Sequence, residues 1–179
     1  KRERKKEKEK ERMAEAYEYF FTYGTLMTGE CREDCWPVKP KEVYEAKLNG
    51  TYLFDWGVGY PGMVVVDLLP PSSLSVVPPS LPKAGRTLQG EVWVYDKKDA
   101  AQITKVLDSI EGYRSDKEGS SLYLRRKGEV SIFTKDGNWK SVSASFYVYK
   151  EAKSLIQGGQ EDEFSTSSPD SYVRWSASE

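Results

Sequence analysis

The stretch "LQGEVWVYDKKDAAQITKVLDSIEGY", residues 88 to 113, carries the two clearest structural patterns in the chain. Its first part, residues 88–96, is rich in valine and aromatic side chains, a composition typical of a β-strand. After it, apolar residues recur at i, i+3, i+4 and i+7, which places them on one face of a helix: Ile103, Val106, Leu107 and Ile110. Gly112 can end that helix. We therefore predict a strand over 88–96 followed by an amphipathic helix over 97–111.

Further strand-like segments lie on both sides of this unit. They are aromatic or valine-rich, and several are bounded by Gly, Pro or Asn at turn positions. The predicted strands are 19–23, 42–57 with a turn at Asn49-Gly50, 60–69 after a Pro-Gly turn, and 121–134 and 139–150 joined by a hairpin turn at 135–138. Mostly antiparallel strands with one clear helix predict an α+β domain built on a small closed or half-closed β-barrel.

The composition divides the 179 residues into one domain with two charged ends. Residues 1–18 alternate Lys or Arg with Glu and contain little to bury, so we expect a solvated helix or a disordered arm. Residues 70–87 hold five of the nine prolines and predict an exposed excursion. Residues 158–179 are acidic and Ser-rich and predict a loose tail. The predicted domain therefore spans residues 19–157.

Charge and residue types narrow the classes of function. The 27 Lys and Arg nearly balance the 28 Asp and Glu, so nothing favours a nucleic-acid partner. No apolar run approaches the roughly 20 residues of a membrane span, and we expect neither a membrane partner nor a signal peptide. Cys31 and Cys35 lie in "CREDC", in a chain without histidine, so they cannot complete the usual zinc shell of Cys and His. We expect two free thiols in a cytoplasmic protein, with a disulfide or redox role as the alternative. The sequence predicts no particular oligomeric state.

Gly24 interrupts "FFTYGTLMTGE", residues 20 to 30, at the end of the first predicted strand. Glycine lets the backbone bend so that consecutive N–H groups point in one direction, and such a nest can bind a carboxylate. The Tyr23-Gly24-Thr25-Leu26 segment is therefore a candidate anion site. A plain turn is the alternative.

Two acids lie near the end of the predicted helix. Asp108 and Glu111 are spaced i, i+3, so both can project from one side. An acid at a helix C-terminus faces the negative end of the helix dipole, and partial burial raises its pKa further. In a chain without histidine, acid–base catalysis falls to carboxylates, Tyr, Lys or Cys. An exposed acidic helix end is the alternative.

In their order along the chain, these motifs resemble those of the γ-glutamylcyclotransferase-like superfamily, particularly its AIG2-like and γ-glutamylamine cyclotransferase branches. The motifs are "YGTLM.GE", "YPG", "GEVW.Y", "LD.IEGY" and "LYLRR", and they extend over about residues 19–150. The resemblance implies a small mixed, mostly antiparallel β-barrel with flanking helices and a cavity at its mouth. It also implies a cyclotransferase that converts a γ-glutamyl amine or γ-glutamyl amino acid to 5-oxoproline and releases the amine.

The resemblance further implies roles for particular residues. The substrate's glutamyl end is bound by backbone N–H groups of the turn, which here is Tyr23, Gly24, Thr25 and Leu26. The general acid/base of the family corresponds to Glu111. A tyrosine of the last core strand that lines the cavity corresponds to Tyr147, and Tyr149 is the competing choice because alternation places it on the same face. The implied partner is a small γ-glutamyl molecule, with no metal and no cofactor.

The chain departs from the commonest members in its excursion, its charged ends and the extended polar spacer from residue 112 to 123, so the substrate stays open. We expect the walls around the leaving amine to come from the 56–61 turn and the 114–122 segment. The charged residues of that segment favour γ-glutamyl amino acids or γ-glutamyl-lysine-type amines over glutathione. One alternative function is a non-catalytic module that binds a small metabolite or peptide end in the same cavity. Another is an interaction protein that acts through its charged ends.

Overall fold

The computed structural model describes residues 16–55, 61–69, 84–151 and 160–161. In these ranges seven strands and one α-helix follow one another in this order: β1 (Tyr17–Thr22), β2 (Glu42–Asp55), β3 (Pro61–Val65), β4 (Arg86–Asp96), α1 (Ala100–Ile110), β5 (Tyr123–Phe133), β6 (Trp139–Tyr149) and β7 (Gln160–Glu161). Short 3₁₀ helices lie at Glu33–Cys35, Val66–Leu68, Lys97–Asp99 and Glu118–Ser120.

Five of the strands close into a barrel. β2 pairs with β4, β4 with β1, β1 with β6 and β6 with β5, and β5 returns to β2. The β1–β6 pair is parallel, with Phe20 opposite Ser145, and the other barrel pairs are antiparallel. β3 and β7 each add to the far end of β2. This architecture confirms the predicted α+β fold with a small mixed, mostly antiparallel barrel.

The interior of the barrel is filled by the inward-facing side chains of its strands, because alternate residues of a strand point to opposite faces. Fully buried members of this core are Ala46, Leu88, Val92 and Ala144. Gly90 of β4 lies directly against the end of β1. A Cβ there would lie 2.3 Å from the carbonyl oxygen of Thr22 and 2.9 Å from the Phe21 ring. The glycine therefore permits the strand contact that fixes the end of β1.

α1 packs on the outer face of the barrel. Ile103 and Leu107, which are buried, contact an outer cluster of aromatic residues from four strands: Phe20, Trp93, Tyr95, Tyr123 and Tyr147. Burial of each such apolar side chain contributes about 1.5–3 kcal/mol. The predicted helical face is confirmed, although the helix itself begins at Ala100, after one 3₁₀ turn. This packing fixes the C-terminal end of α1 beside the end of β1.

The prediction of a turn at Asn49-Gly50 is wrong. β2 continues through these residues, and its pairing with β4 shifts register between Leu48 and Thr51. Gly50 has a φ of 69°, which an irregularity inside a strand can require as readily as a turn does. The predicted strand over 60–69 is also shorter than expected, because it ends at Val65 and one 3₁₀ turn follows.

The boundaries of the domain differ slightly from those expected. β1 begins at Tyr17, so the last two residues of the predicted 1–18 arm belong to the sheet. Residues 160–161 of the predicted tail pair with β2. The excursion at 70–87 lies outside the described residues up to residue 83, as do residues 1–15 of the arm. No helix in the described part of the chain is long and apolar enough to cross a membrane.

Candidate active site

The six residues that the sequence analysis selected all line one cavity of about 140 Å³. The end of β1 and the following turn supply Tyr23, Gly24, Thr25 and Leu26, the end of α1 supplies Glu111, and β6 supplies Tyr147. Most of the other lining side chains are apolar or aromatic. Among the described residues of the lining, only Glu111 and Arg32 carry a charge.

The carbonyl groups of the turn are hydrogen-bonded, whereas three of its N–H groups have no partner in the part of the chain that the structure describes. Its carbonyl groups at residues 24, 25 and 26 accept hydrogen bonds of 3.0, 2.8 and 3.0 Å, respectively from the N–H of Met27, the N–H of Arg32 and the indole N–H of Trp36. The N–H groups of the same three residues have no acceptor among the residues that the structure describes. Three consecutive unpaired amides form a site that suits an anion such as a carboxylate.

Close packing favours a glycine at position 24, whose φ is not positive. A Cβ at this position would lie 3.2 Å from Cγ and 3.3 Å from Cδ of Pro61, the first residue of β3. The small size of this glycine therefore matters for packing as well as for the bend of the turn. The turn lies directly against the start of β3.

Side chains of the loop and of β4 hold the turn in place. The Glu91 carboxylate accepts hydrogen bonds from the N–H and hydroxyl of Thr28, at 2.8 and 3.0 Å, and from the indole of Trp93 at 3.0 Å. Trp93 stacks on Trp36 with ring centroids 4.6 Å apart. A turn fixed by such contacts loses little further conformational entropy when it binds a ligand.

Glu111 lies immediately after the last residue of α1, and its N–H donates to the Leu107 carbonyl at 2.9 Å. Burial raises the pKa of its carboxyl group from 4.5 to about 7, while the positive charge of Arg32 opposes part of that rise. No described residue donates a hydrogen bond to this carboxyl group. The group is therefore both poised to exchange a proton near neutral pH and available to a ligand.

Asp108, one helical turn earlier, is in a different situation. It accepts two hydrogen bonds from Nη1 of Arg125, at 2.8 and 2.7 Å, and one from the Tyr147 hydroxyl at 2.7 Å. Burial, followed by the bond to Asp108, holds the pKa of Tyr147 well above its usual range. Tyr149 is not among the lining residues and packs edge-on against Tyr123. Of the two candidate tyrosines, Tyr147 is therefore the one at the cavity.

The sequence analysis did not identify Arg32 or Tyr123, and both line the cavity. Tyr123 donates its hydroxyl to the carbonyl of Pro61 at 2.8 Å, which ties β5 to β3. Arg32 follows Cys31 in the loop after the turn, and no local pattern indicates which way such a loop folds. Cys31 and Cys35 are free and exposed, so the disulfide alternative is wrong for this structure.

The segments that were predicted to form the walls around the leaving amine line the cavity only in part. Of the 114–122 segment only Leu122 lines the cavity. Pro61 of the 56–61 turn also lines it, and residues 56–60 lie outside the described part of the chain. The charged residues of the segment are engaged elsewhere: Arg114 pairs with Asp116, and Glu118 pairs with Arg126. These charges therefore do not form the wall that was expected.

The family model described as γ-glutamyl cyclotransferase, AIG2-like, matches residues 20–167. The chain therefore belongs to the AIG2-like γ-glutamyl cyclotransferase family, whose members are generally cyclotransferases that act on small γ-glutamyl substrates. No curated protein sequence matches it significantly.

Solved structures with similar folds come from several organisms. An AIG2-like protein of Mus musculus is 18% identical with a TM-score of 0.50, covering 84% of this chain and 90% of the mouse chain. A yeast γ-glutamyl cyclotransferase specific to glutathione is 12% identical with a TM-score of 0.47, covering 75% and 69%. YkqA of Bacillus subtilis is 19% identical with a TM-score of 0.44; the match covers 75% of this chain and 36% of YkqA. At these identities the mouse protein supports the fold alone.

Proposed function

We propose that this protein cyclises a γ-glutamyl group to 5-oxoproline and releases the attached amine, with Glu111 as general acid/base. The reaction needs one group to remove a proton from the substrate's α-ammonium. The resulting amine attacks the γ-carbonyl carbon and forms the ring C–N bond. As the original C–N bond breaks, the leaving nitrogen takes up one proton. The ring nitrogen then loses its second proton, which ends on the released amine, so the amine leaves as an ammonium ion.

One carboxylate placed between the two nitrogens can carry these protons, one after the other, from the α-nitrogen to the leaving nitrogen. The single observation that supports this role most strongly is the position of Glu111, whose carboxyl group has a pKa of about 7 and lies in the same cavity as the unpaired amides. A base with a pKa near the working pH is the most effective, and such catalysis contributes about 10²–10⁴-fold. The two protons that the α-nitrogen loses are the two that the leaving nitrogen gains, so no external acid or base is consumed.

The turn is the proposed site for the α-carboxylate of the glutamyl group. The N–H groups of Gly24, Thr25 and Leu26 are unpaired among the described residues, and charge-assisted hydrogen bonds to them favour an anion. A substrate fixed at this end, with its γ-carbonyl beside Glu111, is folded into the shape that the ring requires. Because the attack is intramolecular, this positioning supplies a large part of the acceleration.

Tyr147 is proposed to orient the α-amine. Its hydroxyl hydrogen is directed to Asp108, so the lone pairs of its oxygen can accept a hydrogen bond from the ammonium group. Apolar walls from Phe20, Leu107 and Ile110 limit the access of water and strengthen these polar contacts.

The test is a competition assay with the full chain. γ-Glutamyl-alanine, ε-(γ-glutamyl)-lysine and glutathione, each with a distinct isotopic label in the glutamyl group, are incubated together, and labelled 5-oxoproline is measured by mass spectrometry. We expect labelled 5-oxoproline from at least one of the three compounds, and the label identifies which. Protein denatured by heat corrects for spontaneous cyclisation. If no compound yields product but the ligands raise the Tm, the cavity belongs to a binding module and the proposal is wrong.

A further inference from the structure

Arg32 is the one positively charged residue among the described lining of the cavity, and the mechanism above does not use it. Its side chain is half-buried, and it makes no hydrogen bond or ion pair to any residue in the described part of the chain. A guanidinium group that is partly desolvated and lacks a partner is a strong donor for a carboxylate.

The loop holds Arg32 firmly. Its N–H donates to the Thr25 carbonyl at 2.8 Å, and its carbonyl accepts from the Cys35 N–H at 3.0 Å. The neighbouring Glu33 forms no ion pair with Arg32, and its carboxylate accepts a 2.7 Å hydrogen bond from the Gly29 N–H instead. Arg32 is therefore available to a ligand from a fixed backbone position.

Arg32 and the unpaired amides are suited to two different anions. The Thr25 carbonyl and the Leu26 N–H belong to one planar peptide group and point in opposite directions. The backbone N–H of Arg32 donates to the Thr25 carbonyl, so the Leu26 N–H points away from the Arg32 backbone. The amides suit the glutamyl carboxylate, and the guanidinium remains for a second one.

We propose that Arg32 binds the α-carboxylate of the departing amino acid and so selects γ-glutamyl amino acids over γ-glutamylamines. The inference rests on the proposed function, because that function places the leaving nitrogen at Glu111. Arg32 is the cation close enough to act on the Glu111 charge. In an α-linked amino acid, the carboxylate is only two bonds from the leaving nitrogen. In ε-linked lysine it is several bonds further away, and in glutathione an amide occupies its place.

The test compares two ligands that differ in this carboxylate alone, γ-glutamyl-alanine and γ-glutamylethylamide. Their Kd values are measured by calorimetry on Glu111→Gln, which is not expected to turn over either ligand, and on Glu111→Gln combined with Arg32→Gln, Arg32→Lys or Arg114→Gln. With Arg32 present, we expect γ-glutamyl-alanine to bind at least about tenfold more tightly. Arg32→Gln should reduce that ratio to within about twofold, Arg32→Lys should restore part of it, and the exposed Arg114→Gln should leave it unchanged.

Three results would overturn the proposal: a ratio that Arg32→Gln does not change, an equal loss of affinity for both ligands, or no binding of either ligand. An equal loss would place Arg32 at the glutamyl end. Binding does not require turnover, so a carboxylate preference that depends on Arg32 in a protein that forms no 5-oxoproline would refute the proposed reaction alone. Formation of 5-oxoproline without that preference would refute the role of Arg32 alone.

Discussion

Two charged pairs flank the cavity, and they differ in how completely they are satisfied. On one side, Asp108 is bonded to Arg125 and to the Tyr147 hydroxyl at 2.7–2.8 Å. On the other side, the charges of Glu111 and Arg32 influence each other, but neither side chain has a hydrogen bond within the described residues. We call Asp108 and Arg125 the closed pair, because their charged groups are bonded to each other. We call Glu111 and Arg32 the open pair, because their charged groups remain available to a ligand.

From this difference we infer that two acids three residues apart at one helix end can have separate tasks. A carboxylate whose oxygens are already bonded is suited to position other groups, because any proton transfer would disrupt its partners. A carboxyl group that is buried without such bonds has a pKa near neutrality and can transfer protons. Proximity to the helix end alone does not separate the two. The two acids differ because β5 and β6 supply hydrogen-bond partners to Asp108.

The largest expected effect comes from removing the open acid. Glu111→Gln should lower kcat for 5-oxoproline formation at least about 100-fold, because an amide cannot accept the ammonium proton. Ligand affinity should change little. Glu45→Gln on the exposed face of β2 is the matched control and should be fully active. Activity of Glu111→Gln within about threefold of the wild type would remove Glu111 from the mechanism.

The same substitution should stabilise the protein in a pH-dependent way. Because the folded protein holds the Glu111 proton more tightly than the unfolded chain does, its contribution to stability is present below pH 4.5 and is lost as pH rises to about 7. Glu111→Gln removes the titrating group and therefore avoids that loss of stability at high pH. Its free energy of unfolding should exceed that of the wild type by up to about 3 kcal/mol at pH 8, and the difference should shrink towards pH 4. Urea denaturation at both pH values measures it. An equal difference at both would show that Glu111 is not the titrating group.

Opening the closed pair should have a smaller effect. Asp108→Asn removes the charge that Arg125 and Tyr147 share, and should lower the free energy of unfolding by about 1–2 kcal/mol. The Tyr147 hydroxyl would lose its fixed orientation, so kcat should fall by less than about tenfold, well short of the effect of Glu111→Gln. Asp116→Asn, in an exposed pair with Arg114, should show no measurable change in either quantity. A loss of activity as large as that of Glu111→Gln would mean that Asp108 takes part in the chemistry.

The smallest effect should appear in the pH dependence of kcat/KM. This quantity should rise with pH through about 7 as Glu111 deprotonates. Arg32 lowers the pKa of Glu111, so Arg32→Gln should shift that rise to higher pH. The measurement uses γ-glutamylethylamide, which lacks the carboxylate that Arg32 is proposed to bind. A shift to lower pH would contradict the inferred coupling between the two charges.

Local patterns in the sequence predict the elements well where one physical cause dominates. The helical repeat of Ile103 and Leu107 reflects burial on one face, and the structure has that face. The prediction of a turn at Asn49-Gly50 was wrong because a glycine with positive φ suits an irregularity within a strand as well as it suits a turn. The closure of β5 onto β2 through Ala46 depends on pairing between distant segments, which no local pattern encodes.

The candidate site divides in the same way. Glu111 and the turn at Gly24 were identifiable because their motifs resemble those of a family, and both line the cavity. Arg32 was not identifiable from the sequence, because its position depends on the path of a loop. Tertiary contacts fix that path, such as the hydrogen bond from the Trp36 indole to the turn. The partners of Asp108 come from β5 and β6, so its closed environment was also not predictable from the helix.

Titration of the Glu111 carboxyl group itself tests the distinction between the two pairs most directly. Glutamate labelled with ¹³C at the side-chain carboxyl carbon is incorporated into the protein, and the resonance of Glu111 is assigned by its loss in Glu111→Gln. Following its chemical shift from pH 3 to 9 gives the pKa without any substrate. The open pair predicts a midpoint of about 7. A midpoint near 4.5, the ordinary value for a glutamate, would contradict it.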